Sequence, residues 1–298
     1  MQSKVFAIIV TYNGSQWIRQ CLNSLKDDIP PEQIIVVDNN STDPTVAIIR
    51  ENYPSVQLWL QKHNLGFGKA NNLGIKHALE EAADYVLLLN QDAWLASGTL
   101  QKMQETLQAN PEIAILSPSQ FDGSQKELDH LFSTYLEKKV QQYNNLAFVP
   151  FVNAAIWLMP RTTLVEVGGF DPLFPHYGED VDFVNRCHYL GLKIAIQTNL
   201  SGYHDRDSSK ILPLTKRKYF EFINALVELK NINKSFIRSL MIFVLRTLRY
   251  FFGAIFKGWL TSAKDDLITL AKITVQIPQI LLSRKKCASK KGNRLFLK

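Results

Sequence analysis

Residues 34–43 read IIVVDNNSTD, and the fold turns on this stretch. Four β-branched residues in an unbroken apolar run predict a short strand buried on both faces. The run stops in an acid and a cluster of turn-forming residues. Toward the N-terminus, KVFAIIVT (4–11) has the same form and also ends in a polar turn, Tyr12-Asn13-Gly14. Between the two, SQWIRQCLNSL (15–25) spaces Trp17, Ile18, Cys21, Leu22 and Leu25 as one helical face, with Ser15 as the expected N-cap. Downstream, PTVAIIRENY (44–53) predicts a helix with Pro44 at its first position, and VQLWLQ (56–61) a strand. Residues 69–83 read as a helix, YVLLLNQD (85–92) as a strand ending in an acid, 97–108 as a helix and IAILSPS (113–119) as a strand. This alternation predicts an α/β fold, a mainly parallel sheet flanked by helices on both faces in the Rossmann-like manner. Ligands of such sheets bind beyond the strand carboxyl ends. Thr11-Tyr12-Asn13, Asp38-Asn39-Asn40 and Asn90-Gln91-Asp92 should therefore meet at one rim.

Residues 120–150 are polar and read as an irregular insertion, after which FVNAAIWLMP (151–160) resumes strand character. GGFDPLFPHYGED (168–180) is a glycine- and aromatic-rich loop, and 181–191 a helix with Gly191 as C-cap. KIAIQT (193–198) is a further strand, followed by a polar loop that carries His204.

The 298 residues are 46% hydrophobic and 20% charged, which excludes disordered, collagenous and low-complexity classes. Cys21, Cys187 and Cys287 stand far apart without CxxC or Cys/His spacing, so a disulfide scaffold and a zinc module are not expected. The start, MQSKVFAIIVTYN, lacks the features of a secretory signal. The net charge of +7 conceals an asymmetry: residues 1–209 hold 15 Lys/Arg against 23 Asp/Glu, and residues 210–298 hold 19 against 4. An acidic body (1–210) and a basic tail (211–298) suggest that chemistry and anchoring belong to separate segments.

The motifs run in a telling order: VTYN, VVDNNSTD, HNLGFGKANNLG, LLLNQD, GGFD with GED, and YH. The glycine run Gly66-Phe67-Gly68-Lys69-Ala70-Asn71 is a poor dinucleotide fingerprint. Asn71 occupies the third glycine position and the loop follows a third strand, which argues against a dehydrogenase. As a set, over about residues 4–208, these motifs resemble glycosyltransferase family 2, the inverting enzymes with the A-type glycosyltransferase (GT-A) fold. GFGKANN and the Asn-x-Asp strand end are similar to bacterial rhamnosyltransferase-type members.

The resemblance implies a role for each motif. Asp38 would accept a hydrogen bond from the imide N–H of a pyrimidine base, with Thr11, Tyr12, Asn13 and Asn40 beside the nucleoside. As a residue read alone, Asp38 equally caps its own turn with Ser41 and Asp43. Gly66, Lys69, Asn71 and Gln91 would serve the nucleotide-diphosphate sugar. Asp92 stands where the family's second metal-binding acid stands, with Asn90 in place of the first. Mg²⁺ or Mn²⁺ is the implied cofactor, since Mg²⁺ often takes one or two protein carboxylates and fills its shell from phosphate and water. His204 would be a second metal or phosphate contact. Asp180 would be the general base, with Glu179 and Asp182 in support. The implied reaction is transfer of a sugar, dTDP-rhamnose being the first donor expected and a UDP-hexose, UDP-N-acetylhexosamine or UDP-galactofuranose the second. The acceptor would be a lipid-linked or polysaccharide hydroxyl. A rival from another class is a non-catalytic sugar-nucleotide-binding subunit, which the amide at Asn90 keeps open.

Residues 235–264 read SFIRSLMIFVLRTLRYFFGAIFKGWLTSAK. At about 100° per residue, Arg238, Arg246, Arg249, Lys257 and Lys264 fall in one arc, and apolar residues cover the rest. No uninterrupted apolar stretch of about 18 residues occurs here, so an interfacial amphipathic helix is expected rather than a spanning one. Phe243, Phe251, Phe252 and Trp259 would enter the acyl boundary. The basic residues of 284–298, namely Arg284, Lys285, Lys286, Lys290, Lys291, Arg294 and Lys298, would add attraction to an anionic membrane surface. The expected location is the cytoplasmic face of the plasma membrane, peripherally bound. The alternative cover for the apolar face is the catalytic domain or a second copy of the chain in a homodimer. No motif for nucleic acid accompanies the basic tail.

Overall fold

The computed structural model describes residues 3–206, 214–289 and 294–297, with the side chains of 214–217 excepted. The expected boundary near 210, and Lys290, Lys291 and Lys298, lie outside the described residues.

The N-terminal half follows the predicted alternation. It comprises β1 (Val5–Thr11), α1 (Ile18–Asn23), β2 (Ile34–Asp38), α2 (Thr45–Asn52), β3 (Gln57–Leu60), α3 (Phe67–Glu80) and β4 (Tyr85–Asn90). Next come β5 (Ala93–Leu95), α4 (Thr99–Ala109) and β6 (Ile113–Phe121). Alternate residues of each strand go to opposite faces. Phe6, Ile8, Ile35, Val37, Val86 and Leu88 pack with α3 on one side. Val5, Ala7, Ile9, Ile34, Val36, Leu87 and Leu89 pack with α1 and α4 on the other. Burial on both faces is why these strands are apolar throughout rather than alternating.

Beyond β6 the structure departs from expectation. The segment 120–150 is ordered: it contains α5 (His130–Glu137) and a hairpin of β7 (Gln141–Tyr143) and β8 (Leu146–Phe148). β9 (Ile156–Pro160) begins five residues later than the apolar run at 151 suggests, and α6 (Arg161–Val167) follows it directly. α7 (Glu179–Tyr189) then leads to β10 (Lys193–His204). The sheet order is β3-β2-β1-β4-β9-β6-β10-β8-β7, with β5 paired to β10. β1, β2, β3, β4, β6 and β10 run parallel, but β9 enters antiparallel between β4 and β6. The sheet is thus mixed, its parallel strands interrupted by the one antiparallel insertion of β9 between β4 and β6. A parallel strand at that place needs a crossover back to the far edge. The chain between β6 and β9 instead spends its length on α5 and the hairpin, and returns from the end it left. Ser15 is not the cap of α1, which starts after Trp17. The Ser15 amide instead donates to Asp43 Oδ2 (3.0 Å), tying α1's entry to the turn after β2.

The basic tail forms α8 (Leu214–Lys230), α9 (Phe236–Phe256) and α10 (Leu260–Ala288). Its inner face packs on the sheet domain: Phe174 of the 168–178 loop joins Ala225, Leu226, Leu229, Phe243, Ile273 and Ile280 in one cluster. Phe243, expected at a membrane, is therefore a core residue. Arg284 is likewise occupied, donating to the carbonyls of Leu229 (2.9 Å) and Lys234 (2.7 Å) around the end of α8. Residues 294–297 return to the sheet domain, where Leu297 joins the core and the Gly169 amide donates to the Leu295 carbonyl (2.7 Å). α9 is long and apolar enough, by length and composition alone, to cross a membrane, although Arg238, Arg246 and Arg249 interrupt it.

A buried ionic network joins tail and body. Lys230 Nζ, with no exposed surface, lies 2.9 Å from Asp182 Oδ1 and 3.2 Å from Asp171 Oδ2. Asp182 Oδ2 accepts from Arg186 Nε (2.9 Å), and Arg186 also donates to the carbonyls of Val167 and Gly169. The Ser283 hydroxyl of α10 closes the network on Asp171. Burial would push the Asp182 carboxyl up, but Lys230 and Arg186 outweigh it and hold Asp182 below the usual carboxylate range. Asp182 is thus committed to the interior and is not available to an acceptor. Removing one partner of a buried pair strands the other charge, at a cost of about 3–5 kcal/mol. Lys230→Met should lower the unfolding free energy by about that amount in denaturant titrations, whereas Lys234→Met, at the more exposed pair with Glu228, should change it by about 1 kcal/mol or less.

Candidate active site

The strand ends converge as the sheet topology requires. A cleft of about 840 Å³ opens at the carboxyl edge, and Tyr12, Asn39, Gly66, Asn90, Gln91, Asp92, Glu179, Asp180 and His204 are among its lining residues. Its floor is built by cross-strand bonds. Gln91 Oε1 accepts from Thr11 Oγ1 (2.7 Å) and from the Tyr12 amide (2.9 Å), while its Nε2 donates to the Tyr12 carbonyl (3.2 Å). One amide side chain thereby locks the end of β1 to the end of β4. Asn13 does the same toward β2: its amide donates to Ser41 Oγ (2.9 Å) and its Oδ1 accepts from the Thr42 amide (2.8 Å).

Asp38 caps its own turn and does not itself line the cleft, which its neighbour Asn39 does. Oδ2 accepts from the Ser41 amide (3.0 Å), the turn cap, while Oδ1 is buried without a partner. Thr11 is buried beside it in register. Among the residues after β2, Asn39 lines the cleft, and its side chain bonds Leu65 N and the Gly66 carbonyl. Asn40 is exposed at a left-handed position (φ 68°) and is not a lining residue.

The glycine run has a packing reason. At Gly66 (φ 80°) a Cβ would come within 2.4 Å of the Pro175 carbonyl, and at Gly68 within 2.9 Å of Phe170 Cβ and 3.5 Å of Glu179. Only glycine lets the start of α3 press against the loop that carries the acids. Lys69 is exposed and Asn71 is buried, donating to the Phe67 carbonyl (3.0 Å). Neither side chain lines the cleft.

At the far wall, Glu179 and Asp180 open α7 behind Gly178. Glu179 is 4% exposed and its Oε2 is buried without a partner. Burial, and then the neighbouring Asp180 carboxylate, push the Glu179 carboxyl up to about 8. Burial pushes Asp180 up as well, against the pull of the Val181 amide on its Oδ1 (2.8 Å). Burial favours the neutral form of both carboxyls, and with the neighbouring Asp180 charge added Glu179 keeps its proton near neutrality.

His204 is not in a loop. It ends β10, whose pairing with β5 sets it opposite Ala93. It is buried, with Nε2 3.4 Å from Asp92 Oδ1 and Nδ1 without a partner among the described residues. Among the described residues no group of three or more ligating side chains exists. Asp92 and His204 supply one carboxylate oxygen and one imidazole nitrogen, a set that fits a divalent cation completed by phosphate and water.

Several lining residues escaped the sequence reading. Arg206 stands two residues beyond His204, and its Nε donates to Asp129 Oδ2 (2.8 Å). Burial would push the Asp129 carboxyl up, but Arg206 and the Phe132 amide hold it down. Arg206 was present in GYHDRD, the motif already noted for its histidine. Tyr135 of α5 gave no signal, because its segment reads as irregular, and Phe151 reads as one more apolar residue of the run 151–160. Asn153, whose Oδ1 is orphaned, precedes β9. His176, Tyr177 and Phe220 form an aromatic wall, with Tyr177 held at φ 65° and its ring centroid 4.9 Å from that of Phe220.

Comparisons with known proteins agree with this geometry. The profile of glycosyl transferase family 2 matches residues 6–163, more than half of the chain. The chain is 34% identical over 110 residues to the SPbeta prophage-derived glycosyltransferase SunS of Bacillus subtilis, which is 37% of this chain and 26% of SunS, so it spans about a quarter of that relative's length. It is 24% identical over 246 residues to the dTDP-rhamnosyl transferase RfbF of Shigella flexneri, covering 77% of this chain and 81% of RfbF. S. aureus TarS 1-349 in complex with UDP-GlcNAc superimposes with a TM-score of 0.57 at 17% identity, covering 96% of this chain and 89% of TarS 1-349. The mannosyltransferase PcManGT of Pyrobaculum calidifontis, in complex with GDP-Man and Mn²⁺, gives 0.54 at 17% identity, covering 99% and 88%. These likenesses establish the GT-A fold.

A carboxyl whose folded value is raised adds stability below its usual range and loses it as pH rises through the folded value. For Glu179 that window runs from about 4.5 to about 8. The thermal midpoint of the native protein should fall across this window more steeply than that of Glu179→Gln, as read by thermal melts at stepped pH.

Proposed function

Because the chain belongs to glycosyl transferase family 2, we propose that it is an inverting glycosyltransferase that moves a sugar from a nucleotide-diphosphate donor to a hydroxyl of a cell-surface glycan under construction. One observation carries the reading. Among the described residues, Asn153 Oδ1, Glu179 Oε2 and His204 Nδ1, on residues that line the cleft, and Asp38 Oδ1, next to the lining residue Asn39, are all buried without partners. Native proteins pair nearly all such atoms, so four orphans in one place call for a large polar ligand.

Asp38 Oδ1 is free to accept from the imide N–H of uracil or thymine, with Tyr12 and Asn39 beside the base. Gln91 and Asn13 act on the nucleoside through the backbone they hold, as positioning residues. Gly66 brings its backbone to the cleft and Arg206 offers a cation there; Lys69 and Asn71 support the start of α3. Asp92 and His204 would hold Mg²⁺ or Mn²⁺, a cation that supplies charge stabilisation to a leaving diphosphate. Asp180 takes the proton of the acceptor hydroxyl. The hydroxyl oxygen attacks the anomeric carbon while the bond to the diphosphate oxygen breaks, and the electron pair leaves with the diphosphate. A single displacement inverts the centre. Its raised proton affinity makes Asp180 the better base, a role typically worth ~10²–10⁴-fold, and protonated Glu179 adds no second negative charge. The aromatic wall of His176, Tyr177 and Phe220 suits the apolar face of an acceptor sugar.

RfbF favours dTDP-rhamnose as donor, and TarS favours the alternative of UDP-N-acetylhexosamine. The acceptor we propose is lipid-linked or polysaccharide, and the protein peripheral on the cytoplasmic face of the plasma membrane. Supporting this, Ile237, Leu245, Phe256 (90% exposed) and Val275 (78% exposed) leave α9 and α10 with apolar surface that none of the described residues covers.

Asp180→Asn should lose transfer by at least about 10²-fold while still binding donor; near-native turnover would remove Asp180 from the base role. A thermal-shift panel of dTDP- and UDP-sugars with and without Mg²⁺ or Mn²⁺ should show one preferred donor. Its metal-dependent increment should vanish in Asp92→Asn. A native protein that binds donor but neither transfers nor hydrolyses it would favour the non-catalytic subunit.

A further inference from the structure

α8 is a wall shared by two cavities. Phe220 lines the cleft, whereas Lys218 and Glu221 of the same helix line a second cavity of about 690 Å³ bounded by α9 and α10. The charges of this cavity do not balance. Lys218 is spent on Glu221 (2.9 Å) and Asp266 (3.0 Å), both lining acids. Arg246 and Arg249 also line it, and among the described residues their guanidinium groups have no hydrogen bond or ion pair. Lys257 completes the rim, its Nζ 4.9 Å from the Trp259 ring.

The surface beside the cavity is apolar. At about 100° per residue, Ile237, Met241, Leu245, Leu248, Phe252 and Ile255 fall in an arc of about 80° on α9, and all six are exposed. Arg249 lies about 40° beyond one edge of that arc, and Arg246 about 100° beyond the same edge, toward the cavity. Uncompensated guanidinium groups at the edge of an exposed apolar stripe match one kind of molecule, with an anionic head and hydrocarbon tails. Guanidinium forks bind phosphate oxygens two at a time, and a ring such as Trp259 suits the boundary between headgroup and chain.

We infer that this cavity binds the phosphate of a membrane lipid, whose hydrocarbon lies along the α9 stripe. The inference rests on the membrane association proposed above and specifies it: one phosphate in one cavity, rather than diffuse attraction of the tail to a charged surface. A terminal phosphate, with three free oxygens, fits the three cations better than a diester does.

The test is co-sedimentation of the full chain with phosphatidylcholine vesicles containing either phosphatidic acid or phosphatidylglycerol, matched for surface charge. The native protein should bind the phosphatidic acid vesicles at least about fivefold more tightly, the equivalent of one charge contact near the surface. Arg246→Gln/Arg249→Gln should lose that preference. Arg238→Gln/Lys264→Gln, which removes equal charge from α9 and α10 outside the cavity, should keep it. Both double variants should retain the native thermal midpoint. Equal binding to the two vesicles, or equal loss in the two variants, would overturn the cavity and leave membrane association standing. Binding to neither vesicle would overturn both. A thermal shift by inorganic phosphate that Arg246→Gln/Arg249→Gln abolishes, without any vesicle preference, would replace the lipid with a soluble phosphate.

Discussion

The ammonium group of Lys230 sits without water between Asp171 and Asp182, and the rest of the molecule is arranged around satisfying it. Each charge in this network would be expensive to bury alone. Together they require that the loop before α7, α7 itself, α8 and α10 keep fixed positions. Asp182 lies two residues beyond Asp180, so the network that holds the tail also orients the first turn of the helix bearing the acids. The basic tail is therefore not an appendage. Its inner face completes the core around Phe174, and residues 294–297 pack back onto the loop at Gly168-Gly169.

The cleft follows a second economy of charge. Gln91 and Asn13 use neutral groups to bind strand ends together, so no carboxylate is spent on those two junctions. Asp38 is shared evenly, one oxygen on its turn and one unengaged. Glu179 and Asp180, adjacent in a dry wall, both have their carboxyls pushed up by burial. Arg206 and Asp129 form a pair at the opposite margin. Such a site is poorly satisfied in its own right, which is the ordinary condition of a surface shaped for a polar ligand.

Much of the first 119 residues was legible because their signals are local. Continuous β-branched runs report burial on both faces, and a polar residue at the end of each run reports the rim. The ends of β1, β2 and β4 could thus be assigned to one rim before any contact was known, whereas Asp180 was placed there by the family resemblance. Legibility failed where a residue's partner is distant in sequence. His204 reads as a loop residue because nothing near it reveals that β10 continues to pair with β5. α5 reads as irregular, since its anchor is Asp129 and that acid's partner is Arg206, 77 residues away. Asp182 reads as one more acid at a helix start, and Lys230 as one more basic residue in a basic tail. Phe243 and Arg284 were read as membrane-facing for the same reason: helical periodicity places residues on a face without saying what that face meets.

By itself the sequence determined the alternation of strands and helices, the family, and the rim where the polar strand ends gather, because those depend on neighbours within a few residues. Tertiary structure alone decided the antiparallel entry of β9, the burial of Lys230 against Asp171 and Asp182, and which of the conspicuous side chains face the cleft. These depend on contacts across tens to hundreds of residues, where the energy of a buried charge or an unpaired hydrogen-bonding group overrides any local preference.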